Sequence, residues 1–309
     1  MPRSTPSRAL DAIPVFYCDQ MVADIASFSP SAGKPREVMN SWRELGIPMA
    51  VKVPVPVTVD QFCLAHDRAY VEGVLACRIN NGFGNRSRAV ADSLPWTSGA
   101  MLSAARGAIE NGLVAVAPCS GFHHAGYLGS GGVTFCSLNG LLTSAAVLLN
   151  EGIVKRVGIC DLDEHWGNGS DDIIRELRLE SQVLHYSAGE KWHQPSQAET
   201  FLQILPSIVE SFAECDVLLA QLGADPHIAD PLGGWMTTAQ LAERDKIVFE
   251  TARRISLPVA WCLAGGYQTP LRRVLDIHDN TLLACANSFV PKTEVGAVMT
   301  RTRYPRGTK

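Results

Sequence analysis

Residues 160 to 169 read Cys160-Asp161-Leu162-Asp163-Glu164-His165-Trp166-Gly167-Asn168-Gly169, and this stretch decides the fold. Ahead of it, Val154-Lys155-Arg156-Val157-Gly158-Ile159 is a short apolar run after a polar turn. Behind it, Gly167 and Gly169 interrupt regular structure before a helical pattern resumes at Asp171. The pattern predicts a buried strand that ends in a loop. In an open parallel sheet ligands collect beyond the carboxyl ends of the strands, so acids and imidazoles packed into such an ending are well placed for chemistry. Asp163 and His165 stand two apart, which in extended chain puts both side chains on one side. A carboxylate and a neutral imidazole are ordinary ligands for zinc, but two are too few. A third is expected from another strand end.

Working outward, further strands are predicted at 13–18, 114–117, 182–186, 216–222 and 258–263, with a proline-interrupted edge segment at 51–57. Helical spacing covers a segment through Val38, Trp42 and Leu45, two short pieces in 59–78, and 98–110, 138–149, 198–212 and 238–254. Strands alternating with helices predict one α/β domain over residues 1–309, a mostly parallel, doubly wound sheet with helices on both faces. A polar tail starts at about Pro291. The glycine-rich loop Asn80-Asn81-Gly82-Phe83-Gly84-Asn85 lacks phosphate-binding spacing and is given no such role.

Composition narrows the function. At 309 residues the chain is long enough to bury a large core, and charged residues make up 19% of it. A net charge of -4 without a basic run gives nucleic acid no electrostatic foothold. No apolar run of about 18 residues and no cleavable leader is present, so no membrane partner and a cytoplasmic location are expected. The nine cysteines are scattered without a CxxC pair, which reads as reduced, buried thiols. Assembly into a homo-oligomer is left open.

Several strand ends carry groups suited to chemistry. Asp225, in Leu222-Gly223-Ala224-Asp225-Pro226, follows the most apolar strand and supplies a second carboxylate; an Asp-Pro pair is also an ordinary turn. With Asp163 and His165 it would leave an open coordination position for water or substrate. His123 and His124 offer a general base and, once protonated, a general acid for an amine; adjacent histidines are also common polar loop residues. Asp161 could hold an imidazole through its ring N–H, or anchor a monovalent cation or backbone amides. In Ala264-Gly265-Gly266-Tyr267 small residues such as Gly266 let backbone approach a ligand, and the Tyr267 hydroxyl could donate to an oxyanion, or simply pack in a turn.

Taken together and in order, Gly121-Phe122-His123-His124-Ala125, Phe135-Cys136-Ser137-Leu138-Asn139, Asp161 to Gly169, Gly223-Ala224-Asp225 with Asp230-Pro231-Leu232-Gly233-Gly234, and Ala264-Gly265-Gly266-Tyr267 resemble the histone deacetylase superfamily. That superfamily includes acetylpolyamine amidohydrolases and bacterial deacetylase-like proteins. The resemblance runs from about His66 to Tyr267 and implies the arginase-deacetylase fold. It also implies one Zn2+ per chain held by Asp163, His165 and Asp225, with removal of an acetyl or other acyl group from a small-molecule amine or an acyl-lysine. By the same resemblance His124 is the proton shuttle with Asn168 as its partner, and His123 with Asp161 gives electrostatic support. Tyr267 polarises the carbonyl, and Phe135 lines one wall of the substrate tunnel.

Three departures stand out. Trp166 replaces the family's frequent second histidine. His185-Tyr186-Ser187 stands where Ser-Leu-His is usual, which counts against the monovalent cation the family holds beside Asp161. The following loop lacks the Phe-Phe-Pro wall, for which Trp192 or His193 is the expected substitute. No acidic rim residue of the peptide-gripping kind is found in 80–100. The competing expectations are a manganese ureohydrolase of the same fold and a non-catalytic module that binds acylated ligands.

Overall fold

The computed structural model describes residues 9–130 and 134–291; beyond Pro291 the expected polar tail lies outside the described residues. Short, wholly buried apolar runs form β1 (Ile13–Phe16), β3 (Val114–Ala117), β4 (Val157–Asp161), β6 (Val217–Leu222) and β7 (Val259–Leu263). Burial on both faces is what a covered parallel sheet demands. The partly exposed β2 (Met49–Lys52) and β5 (Val183–Ser187) take the two edges of a seven-stranded sheet, ordered β2-β1-β3-β7-β6-β4-β5. Every pairing between strands of this sheet is parallel.

Register decides which face each helix covers. Val116 pairs with Trp261, and Ala115 with Ala260, so these two rows point to opposite faces. Trp261 meets Trp42 of α1 (Lys34–Glu44) at 5.5 Å and Phe249 of α8 (Thr238–Arg254) at 5.7 Å, while Phe249 meets Phe289 of α9 (Arg272–Phe289) at 6.1 Å. On the other face α4 (Arg88–Asn111) comes so close that a side chain at Gly107 would strike Phe16 at 2.9 Å and touch Ala115. The remaining helices are α2 (Val59–Phe62), α3 (Arg68–Leu75), α5 (Gly140–Asn150), α6 (Asn168–Glu176) and α7 (Ala198–Glu210).

Two helices differ from the sequence expectation. α4 begins at Arg88 rather than 98, capped by Ser87 and running through Pro95, whose carbonyl accepts from the Val57 N–H. α9 was not foreseen, and its start explains why: no side chain caps it.

The loop after β3 is fixed by a buried polar clamp. Asn139 caps α5 through Leu142 N–H and donates to the Ala125 carbonyl and to Ser170 Oγ. His66, also buried, donates from Nδ1 to the Gly126 carbonyl at 2.8 Å and accepts the Asn139 N–H at Nε2, 2.9 Å away. A second ring proton would oppose that N–H. Burial accordingly holds the His66 pKa down at about 4, against an ordinary 6.5. Between those two values the unfolded chain takes up a proton that the fold refuses, so stability is lost as pH falls through the window and levels off below it. At about 1.4 kcal/mol per unit the full loss is on the order of 3 kcal/mol. The gap in unfolding free energy between wild type and His66→Gln is therefore expected to narrow from pH 7 to pH 4.5. A constant gap in denaturant titrations would contradict the tautomer assigned here.

Candidate metal centre

The residues Ala117, Cys262, Gln221, Asp161 and Ser187 lie in one row across five adjacent strands. Just past this row, on the carboxyl side, the central strands β3, β7, β6 and β4 release their loops into one crevice. From β4 come Asp161, Asp163 and His165; from β6, Asp225; from β3, His123 and His124; from β7, Gly265 and Tyr267.

Asp163, His165 and Asp225 each offer a ligand atom, and the three atoms lie within 4.8 Å of one another. His165 Nδ1 stands 3.1 Å from Asp163 Oδ1 and 3.2 Å from Asp225 Oδ2. Donors about 2.0–2.2 Å from a tetrahedral ion would be roughly 3.3–3.6 Å apart, so the spacing is close to what one small ion needs. Burial makes the case stronger. Asp225 is 0% exposed and Asp163 3%, and Asp225 Oδ2 has no hydrogen-bond partner. Two buried carboxylates, one with an orphaned oxygen, are costly without a cation between them. Glycine makes the approach possible: a side chain at Gly265 would lie 1.9 Å from Asp225 Oδ2, while the Gly265 N–H donates to Asp163 Oδ2 at 2.8 Å.

The electrostatics show the same deficit of positive charge. Burial and then the Asp163 charge push Asp225 up to about 7. Burial would also raise Asp163, but His123 and His165 hold it well below the usual carboxylate range. The hydrogen bond to Asp163 and the nearby Asp225 carboxylate raise His165 to about 11.

The histidine pair is split. His123 Nδ1 lies 2.7 Å from Asp161 Oδ2 and its Nε2 is 3.6 Å from Asp163 Oδ1. Burial pulls its pKa down, yet Asp161, Asp163 and Asp225 outweigh that and hold it at about 9. His124 donates from Nδ1 to Asn168 Oδ1 at 2.7 Å, which leaves Nε2 as the acceptor. Burial, then the neighbouring His123, keep it down at about 4. The two rings are 4.1 Å apart, one biased towards charge and one towards neutrality.

A cavity of about 20 Å³, room for roughly one water, lies among His123, His124, Asp163, His165, Phe135, Gly265 and Tyr267. The Tyr267 phenol is pushed upward by burial and the nearby carboxylates, so it remains a donor. Its turn is pinned by Asp230, which accepts the Tyr267 N–H at 2.8 Å. Phe135 holds a left-handed backbone, φ 61°, beside the cavity.

The fold and the ligand triad prepare the comparison with known proteins. The histone deacetylase domain model matches residues 31–197 and 189–282. The chain belongs to the histone deacetylase family. An uncharacterized protein of Picosynechococcus sp. is 31% identical over 242 residues, 68% of this chain and 73% of that protein. Histone deacetylase 10, chloroplastic, of Oryza sativa subsp. japonica is 25% identical over 235 residues, 59% of this chain and 51% of that protein, so about half of the rice protein is spanned. The crystal structure of the HDA15 HD domain superposes with a TM-score of 0.73 at 18% identity, covering 93% of this chain and 95% of that one, which establishes the shared fold. That fold is the arginase-deacetylase one, a single α/β domain with a parallel central sheet. Membership and triad together support a metal-dependent hydrolase of acyl-amine bonds.

Three residues of this deacetylase-family site stand elsewhere than expected. Trp192 packs with Phe201 at 5.3 Å and Trp235 at 6.3 Å and donates to the Tyr186 hydroxyl, so it is absent from the cavity wall assigned to it. His193, the other substitute, faces Glu164 at 3.9 Å. Gly265 lines the cavity, whereas a side chain on Gly266 would strike Val274 and Ala224. Ser187 sits beside Asp161 in the sheet, and its hydroxyl accepts the Gly167 N–H.

Other contributors escaped the sequence reading. Gln221 donates to Asp161 Oδ1 at 2.9 Å, and the signal was there: an amide inside the most apolar strand. Lys34, 1% exposed, donates to the carbonyls of Ala264 and Gly265 behind the ligands. Burial lowers it to about 8 against the pull of Asp225 and Asp163. A lysine opening a helix gives no such warning. Phe28, from the loop before α1, reaches Tyr267 and Phe135.

Proposed function

We propose that this protein is a cytoplasmic, zinc-dependent amidohydrolase that removes an acetyl or other acyl group from an amine, on a small molecule or an acyl-lysine. The observation that carries this is the convergence of Asp163, His165 and Asp225 within 4.8 Å, the first two lining a cavity shared with His124 and Tyr267. When bound there, zinc would polarise the amide carbonyl and lower the pKa of water into the neutral range.

The chain's own groups supply the rest. His124, held as the Nδ1–H tautomer by Asn168, accepts the proton of the attacking water at Nε2 and returns it to the departing amine nitrogen. His123, biased towards charge by Asp161, offsets negative charge as the tetrahedral centre forms. The Tyr267 hydroxyl donates to the developing oxyanion. Among the described residues the potential ligands gather as one triad, and the β3 loop supplies imidazoles rather than further acids, which favours a single ion over a two-metal ureohydrolase cluster.

Zinc-loaded protein is expected to hydrolyse members of a panel of acylated lysine peptides, acylated polyamines and arylamides. Tyr267→Phe should lower kcat by about 10²–10³-fold with little change in KM. His124→Ala should lower it by about 10²-fold or more. Full-rate turnover by either variant, or turnover of arginine or agmatine with manganese in place of amides, would end this reading.

A further inference from the structure

Two of the residues by which the chain departs from its family, Trp166 and His185, meet on one carboxylate. Trp166 Nε1 donates to Asp171 Oδ2 at 2.7 Å, and His185 Nδ1 lies 2.6 Å from Asp171 Oδ1. Burial alone would raise the Asp171 pKa, but His185 and then Trp166 hold it below the usual carboxylate value, so both bonds run to an anion. Such bonds are shorter and stronger than neutral ones. The three residues belong to three elements. Trp166 follows the ligand His165 in the loop after β4, His185 lies on the edge strand β5 with 5% of its side chain exposed, and Asp171 stands in the first turn of α6.

His165 is the ligand that needs support from its loop. Asp163 and Asp225 are sealed in the interior, whereas 35% of the His165 side chain is exposed. On the inner side its backbone is well held. The Gly167 N–H donates to Ser187 Oγ at 2.9 Å, and Gly189 packs so closely that a side chain there would lie 2.2 Å from the His165 carbonyl carbon. Beyond Gly167 the loop passes into α6, whose start has no side-chain cap. Ser170 fastens that start to the β3 loop, its N–H donating to the His123 carbonyl at 3.0 Å, and Asp171, next round the helix, fastens it to Trp166 and β5. Trp166 is itself 47% exposed, so the bond from its N–H, more than burial, fixes where the indole stands.

We propose that Asp171 is a positioning residue of the metal centre: held by His185, it grips the Trp166 indole and so fixes the loop that presents His165 to the ion. The proposal rests on His165 being a metal ligand and not on any particular amide substrate. An acid in the first turn of a helix also stabilises the helix by itself, and the experiment separates the two roles.

Zinc affinity is measured by competition with a chromophoric chelator, and ligand geometry by the visible absorption of the cobalt-substituted protein, for wild type, Trp166→Phe, Asp171→Ala and the double variant. Asp171→Ala is expected to weaken zinc binding by about tenfold and to alter the cobalt spectrum. Trp166→Phe keeps an aromatic ring and removes the N–H, and should weaken binding by about threefold or more. Because both changes break the same bond, the double variant should bind within about twofold of Asp171→Ala. Wild-type affinity and an unaltered cobalt spectrum in Asp171→Ala, with a lowered melting temperature alone, would reduce Asp171 to a helix-start acid and overturn the proposal. A double variant whose loss is the product of the single losses overturns it too. Should Asp171→Ala fail to fold, the exposed Trp166→Phe decides, and unchanged zinc affinity there is fatal. A wild type that binds neither zinc nor cobalt ends the ligand assignment and the proposal with it. One that shows the expected affinities but cleaves no amide ends the hydrolase reading alone.

Discussion

Asp225→Asn is expected to abolish stoichiometric zinc binding and, with it, amide hydrolysis by about 10⁴-fold or more, since the shift of the water pKa from about 15.7 towards 7 is lost. The substitution keeps the size and planarity of the side chain, so packing against Gly223 and Gly265 is retained. What changes is charge. In the metal-free wild type Asp225 is buried beside Asp163 with an orphaned oxygen, a repulsive arrangement. The metal-free Asn variant should therefore be at least as stable as metal-free wild type, which a merely structural role for Asp225 would not allow. Adding zinc at about 100 times its dissociation constant should stabilise wild type by about 2.7 kcal/mol, a rise of roughly 4 °C in melting temperature, and leave the variant unmoved. Equal zinc-induced shifts in the two proteins would remove Asp225 from the ligand set.

The ligand triad was legible because its signals are local. Each of Asp163, His165 and Asp225 is a polar group set a few residues beyond a mostly apolar strand, and parallel strands leave such endings at one edge of the sheet. Asn168 and His124 were legible only through resemblance, since forty-four positions separate them and nothing in spacing joins them. Phe28 and Lys34 were not legible at all: their positions come from the path of one loop over the finished sheet. Trp192 shows the converse error. An aromatic in the right loop suggested a tunnel wall, but Phe201 and Trp235 offered it a better-buried site. The helix start at Arg88 was hidden by Pro95, which by local rules should end a helix rather than lie inside it.

Arg244 is the residue whose replacement should most disturb the fold around the site. Along α8 the neighbours Arg244-Asp245 read as surface charges, yet both are 1% exposed. Arg244 Nη1 donates to the carbonyl of Leu162 at 3.0 Å and to that of Gly223 at 2.9 Å. Those carbonyls belong to the ends of β4 and β6, one residue before Asp163 and two before Asp225, so a single guanidinium ties together the two loops that carry the carboxylate ligands. Its Nε donates to Asp245 Oδ1 at 2.8 Å, and Asp245 Oδ2 accepts from Thr281 of α9 at 2.6 Å. Arg244→Met would strand Asp245 as an unpaired buried charge and leave two carbonyls without a donor, costing about 3–5 kcal/mol of stability by chemical denaturation. Zinc affinity should fall by about 10–100-fold, as for other groups that orient ligands without touching the ion. The double variant Arg244→Met, Asp245→Leu separates the two effects. Removing both charges should restore much of the stability, because a buried ion pair is seldom better than well-packed apolar groups. The zinc affinity should stay low, because nothing then joins Leu162 to Gly223. Recovery of affinity along with stability would show that the sheet alone positions the ligand loops and that Arg244 serves only to balance Asp245.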